Sequence, residues 1–384
     1  MLLKIYNKLY IIIWTKGKGG EFGRWENLMF RYLCYCPKYM EYISDINIQE
    51  AVIHIVDSNT DEPVLNEYSL ELNEDTYSFL HRHIEKCFKD EELKYALFNP
   101  ERNIVKEVVQ DYLNGIDKDL ISLSKELARQ LFIIMKGNTN IPSCDLIIVS
   151  LVTDQGPMIG ILKMDYVKNF THKVEFIENK IGIDIVPQAA GLPASSQRIQ
   201  KAAFIKPIRE NQVYNIMVID KQKKSKDEEY GANYFISNFL GCSIINNERD
   251  MTKTFLKATE NWTRSNIVED ADKAERIRTA VKAKLKEEDK INIDDLSNEL
   301  FKEEPQIKND FTTFVKSHVL EDEIAIDKQW VEKKLKRVRL KIDKDIDLYI
   351  NEEAYHDGSK FEIQRNGDGS INMIIKHVIN YIEK

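Results

Sequence analysis

The chain has 384 residues, 43% hydrophobic and 31% charged, with only 15 glycines and 9 prolines, a composition that excludes a fibre or a disordered chain and fits two or three folded domains. Its net charge of −8 at pH 7 excludes a protein that coats nucleic acid with its whole surface, because counterion release needs clustered Lys and Arg. The five cysteines, Cys34, Cys36, Cys87, Cys144 and Cys242, are scattered, which points to a reducing cytosol instead of a disulfide framework.

Residues 1–39 differ in pattern from the remainder of the chain. "IYNKLYIIIW" (5–14) is apolar but half the length of a membrane span, it lacks the small-residue cleavage site of a signal peptide, and "TKGKGG" lacks the spacing of a phosphate loop. Regular patterning starts at Met40, so 1–39 read as a mis-started or disordered extension. "AVIHIVD" (51–57) has the β-branched content of a strand, and Asn73 is placed to cap a helix over 74–88. Helices are expected over 103–115 and 117–137, each closed by a glycine. The period then changes: 144–166 reads as two strands about Gln155-Gly156-Pro157, 173–186 as a hairpin around Asn179, and 212–220 as a further strand. Between them "LPASSQRIQKAAFIKPI" (192–208) looks like a helix capped by Ser195 and Ser196, with Arg198 and Lys201 on one side.

From residue 230 helical patterning dominates, over 230–242, 251–265, 270–289, 292–301 and 307–319. β character returns at 336–343 and 347–350, and in a hairpin over 360–378 turned by Asn366-Gly367-Asp368-Gly369. Helices flank the block of hairpins and do not alternate with each strand, so the fold class is α+β. The domains read as a mixed helix and antiparallel-sheet domain at 40–229, a helical region at 230–325 and a β-rich C-terminal region at 326–384.

Motifs for chemistry are sparse. His81 and His83, two apart on a helix, point about 200 degrees from each other and cannot share an ion, and Cys34-x-Cys36 has no second pair nearby. A metal-dependent nuclease would use Asp145 at the head of one strand and an acidic-x-Lys triplet on the next, but "ILK" (161–163) puts Ile161 in the acidic slot before Lys163. Glu178-Asn179-Lys180 has the triplet but sits in a turn. Nucleophile elbows and dinucleotide fingerprints are missing. No catalytic residue, metal or cofactor is therefore assigned.

Positive charge is segregated. Residues 197–226 hold Arg198, Lys201, Lys206, Arg209, Lys221, Lys223, Lys224 and Lys226 against Glu210 and Asp220. On the helix at 273–286, Ile277, Val281 and Leu285 form an apolar stripe, and Arg278, Lys282 and Lys286 a parallel basic one expected to stay open to phosphates. "EKKLKRVRLKIDK" (332–344) carries seven basic residues, including Lys336, Arg337 and Arg339, against two acidic ones. The helix pair at 292–319 has six acids against three lysines and is a poor groove-entering unit.

"DLIIVSLVTDQGPMIGILKMDY", "LPASSQRIQKAAFI", "YFISNFLGC", "INIDDLSNELF" and "KFEIQRNGDGSINMIIKHV" occur in the order of the bacterial nucleoid-associated proteins of the NdpA/YejK type, and over about residues 43–380 the chain resembles that family. The resemblance implies a cytoplasmic, nucleoid-located protein that binds double-stranded DNA, with a link to type II topoisomerases; together with the sparse motifs, the leading reading is non-enzymatic, ahead of a metal-dependent nuclease. Phosphate contacts are then expected from Arg198, Lys201, Lys206, Arg209, Arg278, Lys282, Lys286, Lys336, Arg337 and Arg339. An adaptor for a DNA-processing enzyme is the alternative, and no membrane partner is expected. Homo-oligomerisation is left open by the sequence.

Overall fold

The computed structural model describes residues 42–380 and 382, apart from 139, 179, 211, 222–233 and 343–344. The 1–39 extension, Cys34, Cys36, and the lysines 223, 224 and 226 lie outside the described residues.

A seven-stranded sheet organises the first part of the chain. Its strands are β1 (Ile46–Val56), β2 (Lys94–Phe98), β3 (Cys144–Thr153), β4 (Gly156–Asp165), β7 (Lys201–Ile205), β8 (Ile216–Asp220) and β9 (Cys242–Ile245), in the order β1-β3-β4-β7-β8-β2-β9. Every neighbouring pair is antiparallel. β5 (Val167–Ile177) and β6 (Lys180–Gly191) leave this sheet and pair only with each other.

Both faces of the sheet are covered, which explains why β3, β4 and β7 read as unbroken apolar runs. Leu146, Ile148, Ile159, Ile161, Ala203 and Ile205 face α2 (Ile104–Leu113), α3 (Leu120–Gly137) and a π-helical turn at Tyr234–Leu240. Their neighbours Ile147, Val149, Leu162, Ala202 and Phe204 face α1 (Glu74–Phe88), where Phe88 and Phe204 rings lie 4.2 Å apart. Asn73 caps α1 as expected, accepting from the Thr76 N–H at 2.9 Å; α2 and α3 are likewise capped, by Asn103 accepting from Lys106 at 3.0 Å and Asp119 from Ile121 at 2.9 Å.

The helix expected after Ser195 and Ser196 is corrected: residues 192–200 are irregular and Lys201–Ile205 is a strand held between β4 and β8. A short apolar run buried on both faces carries no period of its own, so a buried strand and a buried helix look alike in sequence. Tyr234, Phe235, Phe239, Leu240 and Cys242 pack in the first core, and Asn247 caps the next helix.

A second core gathers α4 (Glu248–Asn266), α5 (Ala271–Glu287), β10 (Lys290–Asn292), α6 (Ile293–Leu300), α7 (Pro305–Val319), β11 (Glu323–Ala325) and α8 (Lys328–Leu335). Trp262 meets Phe301 and Phe311 edge to face, at 5.4 and 5.0 Å between ring centres, and its indole N–H donates to Asp310 at 2.7 Å. The chain closes with two antiparallel ribbons, β12 (Arg337–Ile342) with β13 (Ile346–Asn351) and β14 (Phe361–Arg365) with β15 (Ile371–Ile375), linked by the short α9 (Glu352–His356). Helix and antiparallel sheet are segregated along the chain, an α+β fold.

One buried group makes the first core sensitive to acid. His54 on β1 accepts the Asn66 N–H at Nδ1 (3.0 Å) and lies 2.8 Å from the Ser124 hydroxyl at Nε2. Burial pushes its imidazole from 6.5 down to about 4, with Lys125 and Arg129 adding to the shift. The folded state therefore binds fewer protons than the unfolded one, so this contribution to stability is complete above pH 6.5 and is lost as pH falls toward 4. His83 is shifted in the same direction, again by burial. The urea midpoint is expected to fall across that window, less steeply in His54→Leu than in the parent; an equal slope in the two would rule His54 out as the acid-sensitive group.

Candidate nucleic-acid interface

The ten cations expected from sequence to contact phosphates fall into three kinds of environment. Lys201 and Lys206 are buried, each 8% exposed. Lys201 is ion-paired with Asp220 and lies 4.9 Å from the Tyr234 ring, whereas Lys206 donates to the Tyr214 hydroxyl at 2.9 Å above that residue's ring. These side chains brace β7 against β8 and the loop before it. Arg198 and Arg209 are exposed but separate: Arg198 lies 3.9 Å from Asp90, and Arg209 donates to Asn114 at 2.7 Å.

The basic stripe of α5 is also not the open surface read from sequence. Arg278 makes a two-pronged contact with Glu260 on α4 at 2.8 and 3.1 Å, and Lys286 pairs with Glu352 on α9. Burial opposes ionisation of Glu260, yet Arg278 and Arg264 hold its carboxyl below the usual range. Burial likewise pushes Lys282 below the ordinary lysine value. On the adjoining face Arg365 from β14 reaches Asp272 and Glu275. The stripe expected to stay open is thus partly engaged by Glu260 and Glu352 where the C-terminal segments pack, with Lys286 still exposed.

The third run behaves differently. Along β12, Arg337, Arg339 and Lys341 point outward, while Val338 is buried and Leu340 and Ile342 are partly covered. Their partners across the ribbon on the outward face are Asn351, Tyr349 and Asp347. Alternate residues on a strand stand about 6.7 Å apart, so the three cations form a short regular row. Arg339 lies 5.0 Å from the Tyr349 ring and 3.7 Å from Asp347, with 65% of its side chain still exposed. The stacked ring restrains the guanidinium without neutralising it. Lys333 and Lys334 in the last turn of α8, and Lys336 after it, are exposed next to the row. Lys333, Lys334 and Lys341 belong to the basic run 332–344 without having been singled out from sequence, and Tyr349 was not connected with it; the signal for the last two was the basic-apolar alternation of 337–342 facing "DLYI".

The nuclease constellation is used for structure. Lys163 is 1% exposed, binds Asp165 and donates to the Pro142 carbonyl at 3.1 Å, and Ile161 is in the core. Asp145 accepts from the Tyr166 hydroxyl at 2.9 Å, and burial lifts its carboxyl above the usual range. Among the described residues, no three or more His, Cys, Asp or Glu side chains are grouped to hold a metal ion, and no helix is long and apolar enough to cross a membrane.

A family model described as nucleoid-associated protein YejK matches residues 52–383. The chain belongs to the YejK family of nucleoid-associated proteins. No curated protein matches it. The YejK match takes in the sheet, the helical core and both C-terminal ribbons, and agrees with the span read from the ordered signature segments. The outward row of β12 therefore lies inside the family's own fold.

Proposed function

We propose that the chain binds double-stranded DNA through phosphate contacts made by the β12–β13 ribbon and the end of α8, without a catalytic step. The observation that carries this reading is the row Arg337, Arg339, Lys341, which with Lys333, Lys334 and Lys336 forms a run of exposed basic side chains. A row of cations on a narrow amphipathic ribbon suits the sugar-phosphate backbone, and Arg337 and Arg339 are not held by buried partners that would fix them for reading base edges. Arg198 and Arg209 supply secondary contacts.

Gel-shift titration of a random-sequence duplex at several salt concentrations tests this. The logarithm of the association constant should fall linearly with the logarithm of salt, by about 0.9 per phosphate neutralised, and alike for unrelated sequences. An affinity indifferent to ionic strength would sink the proposal. The alternative, an adaptor for an enzyme such as a type II topoisomerase, predicts a protein partner retained from nuclease-treated lysate.

A further inference from the structure

The β5–β6 ribbon pairs from Asn169↔Gln188 to Ile177↔Lys180 and shares no strand with the seven-stranded sheet. Opposed residues of an antiparallel pair share a face. One face accordingly carries Phe170 with Pro187, His172 with Ile185, Val174 with Ile183 and Phe176 with Ile181. The other carries Thr171 with Val186, Lys173 with Asp184, Glu175 with Gly182, and Lys180, with Lys173 and Glu175 ion-paired at 2.5 Å. The ribbon is thus amphipathic, yet its apolar face is turned to solvent: Phe170 is 63% exposed, Val174 51%, Phe176 78%, Ile181 66%, Ile183 71% and Ile185 73%.

An isolated two-stranded ribbon is marginal in water and needs something on its apolar face. These six side chains together leave roughly 700 Å² of surface open, more than a soluble monomer normally shows in one patch and close to one partner's share of a standard interface. Among the described side chains from Phe170 to Pro187 the face bears no permanent charge, and His172 is its one ionisable group. A nucleic acid therefore finds no cation among these described side chains, whereas an identical apolar face can cover them without stranding a charge. The area and the self-complementarity together select a second copy of the chain, the partner always present in equal number, through an isologous two-fold contact.

We propose that β5–β6 is a dimerisation arm whose apolar face packs against the same face of a second copy, two ribbons stacked about 10 Å apart as in a small sandwich. This does not rest on the DNA reading; it places two basic ribbons in one particle and so permits bivalent contact with a duplex.

Sedimentation velocity of the full chain at micromolar concentration reads the outcome. The parent should sediment with twice the 44.9 kDa chain mass, Phe176→Lys with Ile183→Lys should halve it, and Thr171→Lys on the polar face should leave it unchanged. If the double variant is poorly folded by circular dichroism, cross-linking decides: with Cys34 and Cys36 replaced by serine, Ile183→Cys should oxidise to a covalent dimer and Lys173→Cys should not. A monomeric parent overturns the proposal, including one that sediments with lipid vesicles or gains mass only with a second protein. A dimer that survives the double lysine substitution overturns it equally.

Discussion

Replacing Arg337 and Arg339 together by glutamate is expected to weaken duplex binding by about a hundredfold at physiological salt and to lower the salt slope by about 2, since each lost phosphate contact removes about one released counterion. The two side chains stand outward on β12, opposite Asn351 and Tyr349 on the ribbon's exposed face, so the substitution leaves the buried Val338 and the chain's packing untouched. The loss should be the same for every duplex sequence, because phosphate contacts carry no base information. Tyr349→Ala is the milder companion: it frees the Arg339 guanidinium from the ring 5.0 Å away and should reduce affinity only severalfold. The α5 stripe is the control. Lys282→Met should change duplex affinity little, because burial already pushes that lysine below its ordinary value. If Lys282→Met matched the ribbon double variant, the working surface would be α5 and not β12. Fluorescence anisotropy with one labelled duplex at fixed salt compares all three variants.

Why the sequence located the runs of charge, but not which of them stays exposed, is a matter of the range of the interactions involved. Caps are local: Asn73, Asn103 and Asp119 each bond an N–H two or three residues ahead, and Asn73 was read from the sequence. The Asn366-Gly367-Asp368-Gly369 turn is equally local, and Gly367 and Gly369 take φ of 81° and 88°, which only glycine adopts freely. The alternation of 337–342 fixes which side of β12 faces water without reference to anything distant. Charge pairing is different in kind. Nothing near Lys286 announces Glu352, and nothing near Arg278 announces that Glu260 on the preceding helix takes both its prongs. A basic stripe beside an apolar one looks solvated until the segments that cover it are placed. The same limit hid β7, whose neighbours β4 and β8 supply the burial that makes Lys201–Ile205 a strand.

The largest loss of stability is expected at Asp327, where the sheet core and the helical core are tied by a buried charge. Asp327 is 5% exposed and caps α8 by accepting the Trp330 N–H at 3.0 Å. Its carboxylate also accepts from Arg249 Nε at 3.2 Å, and the Tyr42 hydroxyl lies 2.7 Å from both its oxygens. Burial and that carboxylate push the Tyr42 hydroxyl well up, so it stays protonated and donates. Arg249 in turn donates to the Asp90 carbonyl at 3.3 Å, just past α1 on the sheet side, and Asp90 holds Lys221 at 2.5 Å. Asp327→Ala leaves a buried guanidinium without its counter-charge, a change that typically costs about 3–5 kcal/mol, and removes a helix cap worth about 1 kcal/mol. Against a total of about 5–15 kcal/mol for a folded domain, that is a large share. Because the network spans both cores, its loss should also split one cooperative urea transition into two, with Trp262 fluorescence reporting the helical core ahead of the sheet. Asp327→Asn, which keeps the cap and the shape, should lose less. Arg249→Met combined with Asp327→Leu should recover most of the deficit, because an absent pair costs far less than a broken one. A double variant as unstable as Asp327→Ala would mean that packing at Asp327, and not the stranded charge of Arg249, sets the coupling between the cores.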